Sequence, residues 1–226
     1  MKRLAISLLA GVAALSFISS AHAADLIIEE PAPPVGIVDL GGNWDGVYVG
    51  AFVGAGWGTV TDETGFFGAV GVETDYDISG WLVGVNAGAN FTVSEAIVAG
   101  IVGDIAWSDI GGDLADDGTY NVDWVGSIRG RLGFDGGAFL PYLTAGAAFA
   151  SATATFDDGV TVFEDSQTHI GWTVGAGVEF AVADNISLDL LYRYSDYGSK
   201  DYDLDATAVP LSLTSHQVTA GINWKF

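Results

Sequence analysis

The stretch Ile170-Gly171-Trp172-Thr173-Val174-Gly175-Ala176-Gly177-Val178-Glu179-Phe180 decides the fold. Read at every second position it gives Ile170, Trp172, Val174, Ala176, Val178 and Phe180, an uninterrupted apolar row. The intervening row holds Thr173, Gly175, Gly177 and Glu179. Side chains alternate between the faces of a β-strand, so this segment is a strand with one apolar and one polar, glycine-rich face.

The same period recurs outward in both directions. Val47, Val49, Ala51, Val53, Ala55 and Trp57 oppose Tyr48, Gly50, Phe52, Gly54 and Gly56. Trp81, Val83, Val85, Ala87, Ala89 and Phe91 oppose Gly84, Asn86, Gly88 and Asn90. Ile97, Ala99, Ile101, Ile105 and Trp107 oppose Gly100 and Asp104, and Val122, Trp124, Ile128, Leu132 and Phe134 oppose Asp123, Ser127, Arg129 and Arg131. A segment from Phe139 to Thr155 carries Ala and Thr on both faces. Ile186, Leu188, Leu190, Tyr192 and Tyr194 then oppose Ser187, Asp189 and Arg193, and Val218, Ala220, Ile222, Trp224 and Phe226 oppose Gln217, Thr219, Asn223 and Lys225. With the opening stretch this makes eight segments, each at or above the roughly 9–11 residues of a tilted membrane-crossing strand.

The connections alternate in length. Tight links fall at 92–95, 135–137 and 183–184, and longer ones near 59–78, 108–119, 156–167 and 198–212. The longer links carry Asp62, Glu63, Glu73, Asp75, Asp77, Asp109, Asp113, Asp116, Asp117, Asp157, Asp158, Glu164, Asp165, Asp201, Asp203 and Asp205, and read as acidic surface loops. A soluble barrel of lipocalin type shares the alternation but turns its apolar face inwards. Three features favour lipid outside: aromatics near strand ends on the apolar face, a polar face rich in glycine and charges of both signs, and a chain that stops on Phe226 within its last apolar row. The expectation is an all-β, eight-stranded antiparallel up-and-down transmembrane β-barrel over residues 43–226.

Ahead of it, Met1-Lys2-Arg3, an uncharged apolar run from Leu4 to Phe17 and Ala21-His22-Ala23 read as a signal peptide over 1–23. That run is shorter than the roughly 20 residues of a spanning helix. Residues 24–42, with Pro31, Pro33 and Pro34, read as a periplasmic tether. The chain of 226 residues has no Cys and a formal charge of −22, which excludes disulfide stapling and argues against nucleic acid as a partner. Mean hydropathy is +0.38, high for so acidic a chain, and alternation accounts for it.

On the polar face, Asp104, Asp123, Glu179 and Asp189 share a barrel interior with Arg129, Arg131, Arg193 and Lys225. A charge in so narrow an interior is costly unless paired, so the expectation is an Arg–carboxylate network that plugs the lumen; a narrow ion path is the alternative. The acidic loops suit lipopolysaccharide bridged by divalent cations, yet no stretch has the ligand spacing of an EF-hand, and no metal site is assigned. His169 and His216 lie toward the loop ends of their strands, and no nucleophile–base pair emerges around them: Ser215 and His216 are sequence neighbours and point to opposite faces. No enzyme and no cofactor is expected. The glycine pairs of Gly54-Ala55-Gly56 and Gly175-Ala176-Gly177 precede no helix and are not phosphate loops.

The chain resembles the small porin-like outer-membrane proteins of alphaproteobacteria, which share the eight-stranded barrel of OmpA-type membrane domains. The residues that carry the resemblance are Asn43-Trp44-Asp45-Gly46-Val47-Tyr48-Val49-Gly50, Gly103-Asp104-Ile105-Ala106-Trp107, Arg129-Gly130-Arg131-Leu132-Gly133, Leu140-Pro141-Tyr142, Gly171 to Glu179, and Gly221-Ile222-Asn223-Trp224-Lys225-Phe226. The resemblance implies residence in the cell outer membrane, with loops extracellular and termini periplasmic. It also implies that Gly221, Trp224 and Phe226 form a signal read by the barrel-assembly machinery, and that the protein is a surface antigen supporting envelope integrity. A periplasmic peptidoglycan-binding domain is not part of this chain's pattern, so direct anchoring to the cell wall is not expected.

Overall fold

A computed structural model describes residues 44–67, 72–114, 118–157, 159–204 and 207–226; the expected signal peptide and tether lie outside these residues. Eight strands follow one another: β1 (Gly46–Asp62), β2 (Thr74–Ser94), β3 (Ile97–Leu114), β4 (Gly118–Phe134), β5 (Phe139–Asp157), β6 (Val162–Ala183), β7 (Ile186–Leu204) and β8 (Thr207–Lys225). Each pairs antiparallel with the next, and β8 returns to β1 to close the barrel, leaving no edge along the membrane-crossing wall. Val53, Val85, Ile101, Ile128, Leu132, Val174, Leu190 and Ile222 all face outwards and are between 43% and 56% exposed, the surface a bilayer requires. The crossing is made by strands, and the fold class expected from the alternation is the one observed.

The strands run well into the segments expected to be loops. In these distal extensions the period of two continues with its polarity reversed. Ile78, Ile110, Leu114, Tyr120, Leu211 and Leu213 point inwards and are buried, while Asp75, Asp77, Asp109 and Asp113 on alternate positions face out and are exposed. The barrel therefore has a distal half built like a soluble one, apolar inside and charged outside, continuous with a half built for lipid. These four acidic residues, which read as loop composition, are the wet face of a strand.

The fourth strand corrects the alternation read from sequence. Opposite β5, Val122 pairs with Ala152 and Trp124 with Ser151, so Asp123 is an extra residue, a β-bulge. The bulge flips the phase: Val122 is buried inside although Trp124, two residues later, faces lipid. In β5 the ambiguous alanines resolve cleanly, because Ala148, Ala150, Ala152 and Ala154 all point inwards and leave room for large side chains of neighbouring strands.

The longest seam in the distal wall lies between β6 and β7; a shorter one follows Ser79↔Gly111 between β2 and β3. The β6–β7 ladder stops at Trp172↔Asp196, while β5–β6 pairing continues to Asp157↔Val162 and β7–β8 pairing to Leu204↔Thr207. A bulge in β7 between Asp196 and Ser199, with Gly198 at φ +64°, turns that strand away. Side chains bridge the gap: the Asp203 N–H donates to Asp165 Oδ2 at 2.9 Å, and His169 reaches Tyr202 from inside. The Gln167 amide, helped by the Asp203 and Ser166 N–H groups, holds the half-buried Asp165 carboxyl below the usual carboxylate range against its desolvation.

Candidate functional site: a filled lumen between two apolar stoppers

From the end that carries the short turns, the first layer of the lumen is Trp44, packed with Val98 and Leu140. Its indole N–H donates to the Gly137 carbonyl at 3.2 Å, so the residue just before β1 closes the mouth of the barrel.

The next layer is ionic. Arg131 Nη2 meets Glu179 Oε2 at 2.7 Å with both side chains 4% exposed, and its guanidinium lies over the Tyr142 ring, 4.0 Å from the centroid. Arg131 also donates to the Tyr48 hydroxyl at 3.2 Å. Glu179 accepts further bonds from Asn223 Nδ2 at 3.0 Å and from the Ser187 hydroxyl. Asp189 accepts the Tyr142 hydroxyl at 2.7 Å. Both tyrosines stand opposite a glycine: a Cβ on Gly88 would lie 2.5 Å from the Tyr48 ring, and one on Gly177 2.5 Å from that of Tyr142. Glycine on the inner face thus makes room for the aromatic fillers of an interior only eight strands wide.

Above this layer Asp104 bridges two arginines, Arg129 at 2.7 Å and Arg193 at 3.0 Å, with side-chain exposures of 2–5%. The Ser127 hydroxyl donates to Asp104 and accepts from Arg129 Nε at 2.7 Å and Arg193 Nη1 at 3.1 Å. Arg193 Nε donates to Gln217 Oε1 at 3.2 Å. Three carboxylates, Asp104, Glu179 and Asp189, thus balance three guanidiniums, those of Arg129, Arg131 and Arg193. The cavity they leave, next to Asn86 and Asn223, is about 30 Å³, on the scale of a water molecule.

The distal half is filled by apolar side chains, among them Val60, Leu82, Ile110, Leu114, Leu211 and Leu213. At its centre Tyr120, His169 and Tyr202 form a buried polar triangle: the hydroxyls are 3.0 Å apart and lie 3.2 and 2.8 Å from His169 Nε2. Phe66, Phe67 and Phe156 cover the top, with ring centroids 5.0–6.0 Å apart. Asp62 holds this cover in place. Its carboxylate accepts the backbone N–H groups of Thr64 and Gly65 at 2.9 Å and of Phe67 at 3.0 Å, and it is fully buried rather than displayed at the surface as its sequence context suggested. Asp62→Ala strands those donors at a cost of about 2 kcal/mol, which raises local opening roughly 30-fold. Chymotrypsin is therefore expected to cut after Phe66 or Phe67 in the variant far faster than in the parent.

Six of the eight expected lumen charges come together in this way. Asp123 does not join them: the bulge sets it at the wall, half-buried, where its carboxylate accepts the Thr153 hydroxyl at 3.0 Å. Lys225 keeps to the inner row but sits at the turn end, paired with Tyr48 in the ladder and half-buried, away from the three ion pairs. Trp224 and Phe226 face outwards at 50% and 79% exposure, and Gly221 lies on the inner row of the same strand. His169 and His216, expected near strand ends, lie well within β6 and β8, one inside and one outside. Asp116, Asp117, Asp158 and Asp205 lie outside the described residues.

The family model and the sequence relatives agree with this architecture. Residues 10–226 match the family model described as outer membrane protein beta-barrel domain. The chain is 35% identical to the 25 kDa outer-membrane immunogenic protein of Brucella abortus biovar 1, over the whole of both chains. It is 38% identical to the 22 kDa outer membrane protein of Rhizobium leguminosarum bv. viciae, over 88% of this chain and 82% of that one. Among solved structures it is similar to Neisserial surface protein A, with 21% identity, a TM-score of 0.48, and coverage of 80% of this chain and 97% of the other. The chain belongs to the outer membrane protein beta-barrel family and is a protein of the bacterial outer membrane.

Proposed function

We propose that the protein is a structural outer-membrane barrel that supports envelope integrity and presents an acidic surface outside the cell, rather than a conduit. The observation that carries this reading is the lumen, filled along its length by an apolar stopper, a balanced ionic layer and a distal hydrophobic core. Such a filling leaves no continuous water path through an eight-stranded barrel. Exposed Asp75, Asp77, Asp109, Asp113, Asp201 and Asp203 suit divalent cations that bridge to phosphates of neighbouring lipopolysaccharide. The description of the Brucella relative as immunogenic fits distal halves that point outwards and short turns that point to the periplasm. The exposed terminal aromatics Trp224 and Phe226, with Gly221, are the residues for the barrel-assembly machinery to read.

The test is paired. Purified protein in planar bilayers is expected to give no discrete openings, and cells lacking it are expected to become more sensitive to detergent and chelator, with rescue by the intact gene. Discrete openings that change size in Arg129→Ala or Asp189→Asn would favour a narrow pore and sink the sealed-lumen reading.

A further inference from the structure

Five rings pack side by side on the outer surface where β6, β7, β8 and β1 adjoin. Trp57 and His216 are stacked with planes 10° apart and centroids at 5.7 Å. Tyr194 lies 5.1 Å from His216 and 5.5 Å from Trp172, and the Tyr192 hydroxyl bonds His216 Nδ1 at 2.8 Å. Of the histidines among the described residues, His216 is the one at the outer surface.

The ladder sorts this wall into three rows. Trp57, His216 and Tyr194 are cross-strand neighbours and form the middle row. On the lipid side lies the row of Ala55, Val218 and Tyr192. On the distal side Thr214 pairs with both Thr59 and Asp196, a row of two hydroxyls and a carboxylate that ends on the Trp172 ring, paired with Asp196. Apolar surface, ring faces and hydrogen-bonding groups thus succeed one another from the bilayer outwards.

We propose that this shelf binds the sugar headgroup of an outer-leaflet glycolipid. The apolar C–H faces of the two pyranoses of a disaccharide lie on the Trp57 and Tyr194 rings on either side of His216, their hydroxyls reach Thr214, Thr59, Asp196 and the imidazole, and the acyl chains descend along Ala55 and Val218. Asp196 on the wall disfavours a bare phosphate and suits hydroxyl donors, which selects the sugar over the phosphate as the recognised group. The opposite wall pairs Trp107 with Trp124 and has its own polar row of Asp123, Thr153 and Ser166, but the ladder slips at Asp123 between the rings and that row, and neither described histidine stands beside those rings.

The experiment uses the full barrel in phospholipid nanodiscs, challenged with lipid A, dephosphorylated lipid A or phosphatidylglycerol, and reads retained lipid by native mass spectrometry and tryptophan fluorescence. Both glycolipids are expected to be retained in preference to phosphatidylglycerol, and Trp57→Leu and His216→Leu to weaken retention about tenfold while Trp107→Leu does not. Thr214→Val, which leaves the rings untouched, is expected to weaken it as well. Equal retention of phosphatidylglycerol by the unaltered barrel overturns the proposal, whatever the variants do. So does equal loss in Trp107→Leu, and retention of the phosphorylated form alone transfers the site to phosphate and overturns the sugar assignment. The proposal rests on outer-membrane residence and not on a sealed lumen, so a conducting barrel leaves it standing.

Discussion

Asp104→Ala is expected to destabilise the barrel by about 3–5 kcal/mol, the largest effect of any single lumen substitution. The reason is arithmetic of charge. Asp104 alone stands between Arg129 and Arg193, so its loss leaves two guanidiniums facing each other across the Ser127 hydroxyl with exposures of 5% and 4%. Neither can move to water without leaving the wall. Glu179→Ala strands one guanidinium, Arg131, whose positive charge still rests on the Tyr142 ring, so its cost is expected to be smaller. Denaturant unfolding of the refolded protein in lipid, followed by heat-modifiable gel migration, measures both. Removing the charges together, Asp104→Leu with Arg129→Leu and Arg193→Met, is expected to recover most of the loss, because an apolar filling of similar volume replaces an ion cluster at little net cost. A triple variant as unstable as Asp104→Ala would show that shape, not charge pairing, holds this layer.

Leu211→Ala is expected to cost about 2–5 kcal/mol, but in a different place. Leu211 is fully buried in the distal core, pairs with Asp62 of β1 and Lys200 of β7, and lies beyond the lipid-facing belt. A cavity there loosens the part of the barrel stabilised by burial from water, while the lipid-embedded ladder keeps its hydrogen bonds. Hydrogen exchange is expected to rise in residues 59–67, 74–79 and 199–213 and to stay low in residues 83–91 and 186–192. Uniform exchange along each strand would mean the two halves unfold as one unit.

Period two was legible because lipid demands an unbroken apolar row, and the strands obey that demand across the membrane half. Two breaks lie beyond it: in β4, where Asp123 and Trp124 read as ordinary alternation, and in β7 after Asp196, a bulge swaps the faces behind it. The distal extensions were misread for the same reason that the membrane half was read correctly. A rule that sets acidic residues in loops cannot see a strand whose wet face is acidic, and the inward Ile110, Leu114 and Leu211 were the available sign. Which charges share the lumen followed from the alternation, but their partners did not. Arg129 and Asp104 are 25 positions apart, Arg131 and Glu179 48, and Arg193 and Asp104 89, and only the stagger of the closed barrel brings them level. Trp44 was invisible as a stopper because it precedes the strand and takes no part in its alternation.

The long seam between β6 and β7 gives the outward half a mechanical character that the membrane half lacks. A cylinder closed by backbone hydrogen bonds keeps its circumference; one slit along part of its length behaves like a sprung collar. Beyond Trp172 and Asp196 the girth can change by releasing the Asp165 bond to the Asp203 amide together with the His169 contacts to β7, with the ladders on either side intact. Lateral load on this half is then taken up by a few reversible side-chain contacts, and the hydrogen-bonded hoop within the bilayer does not feel it.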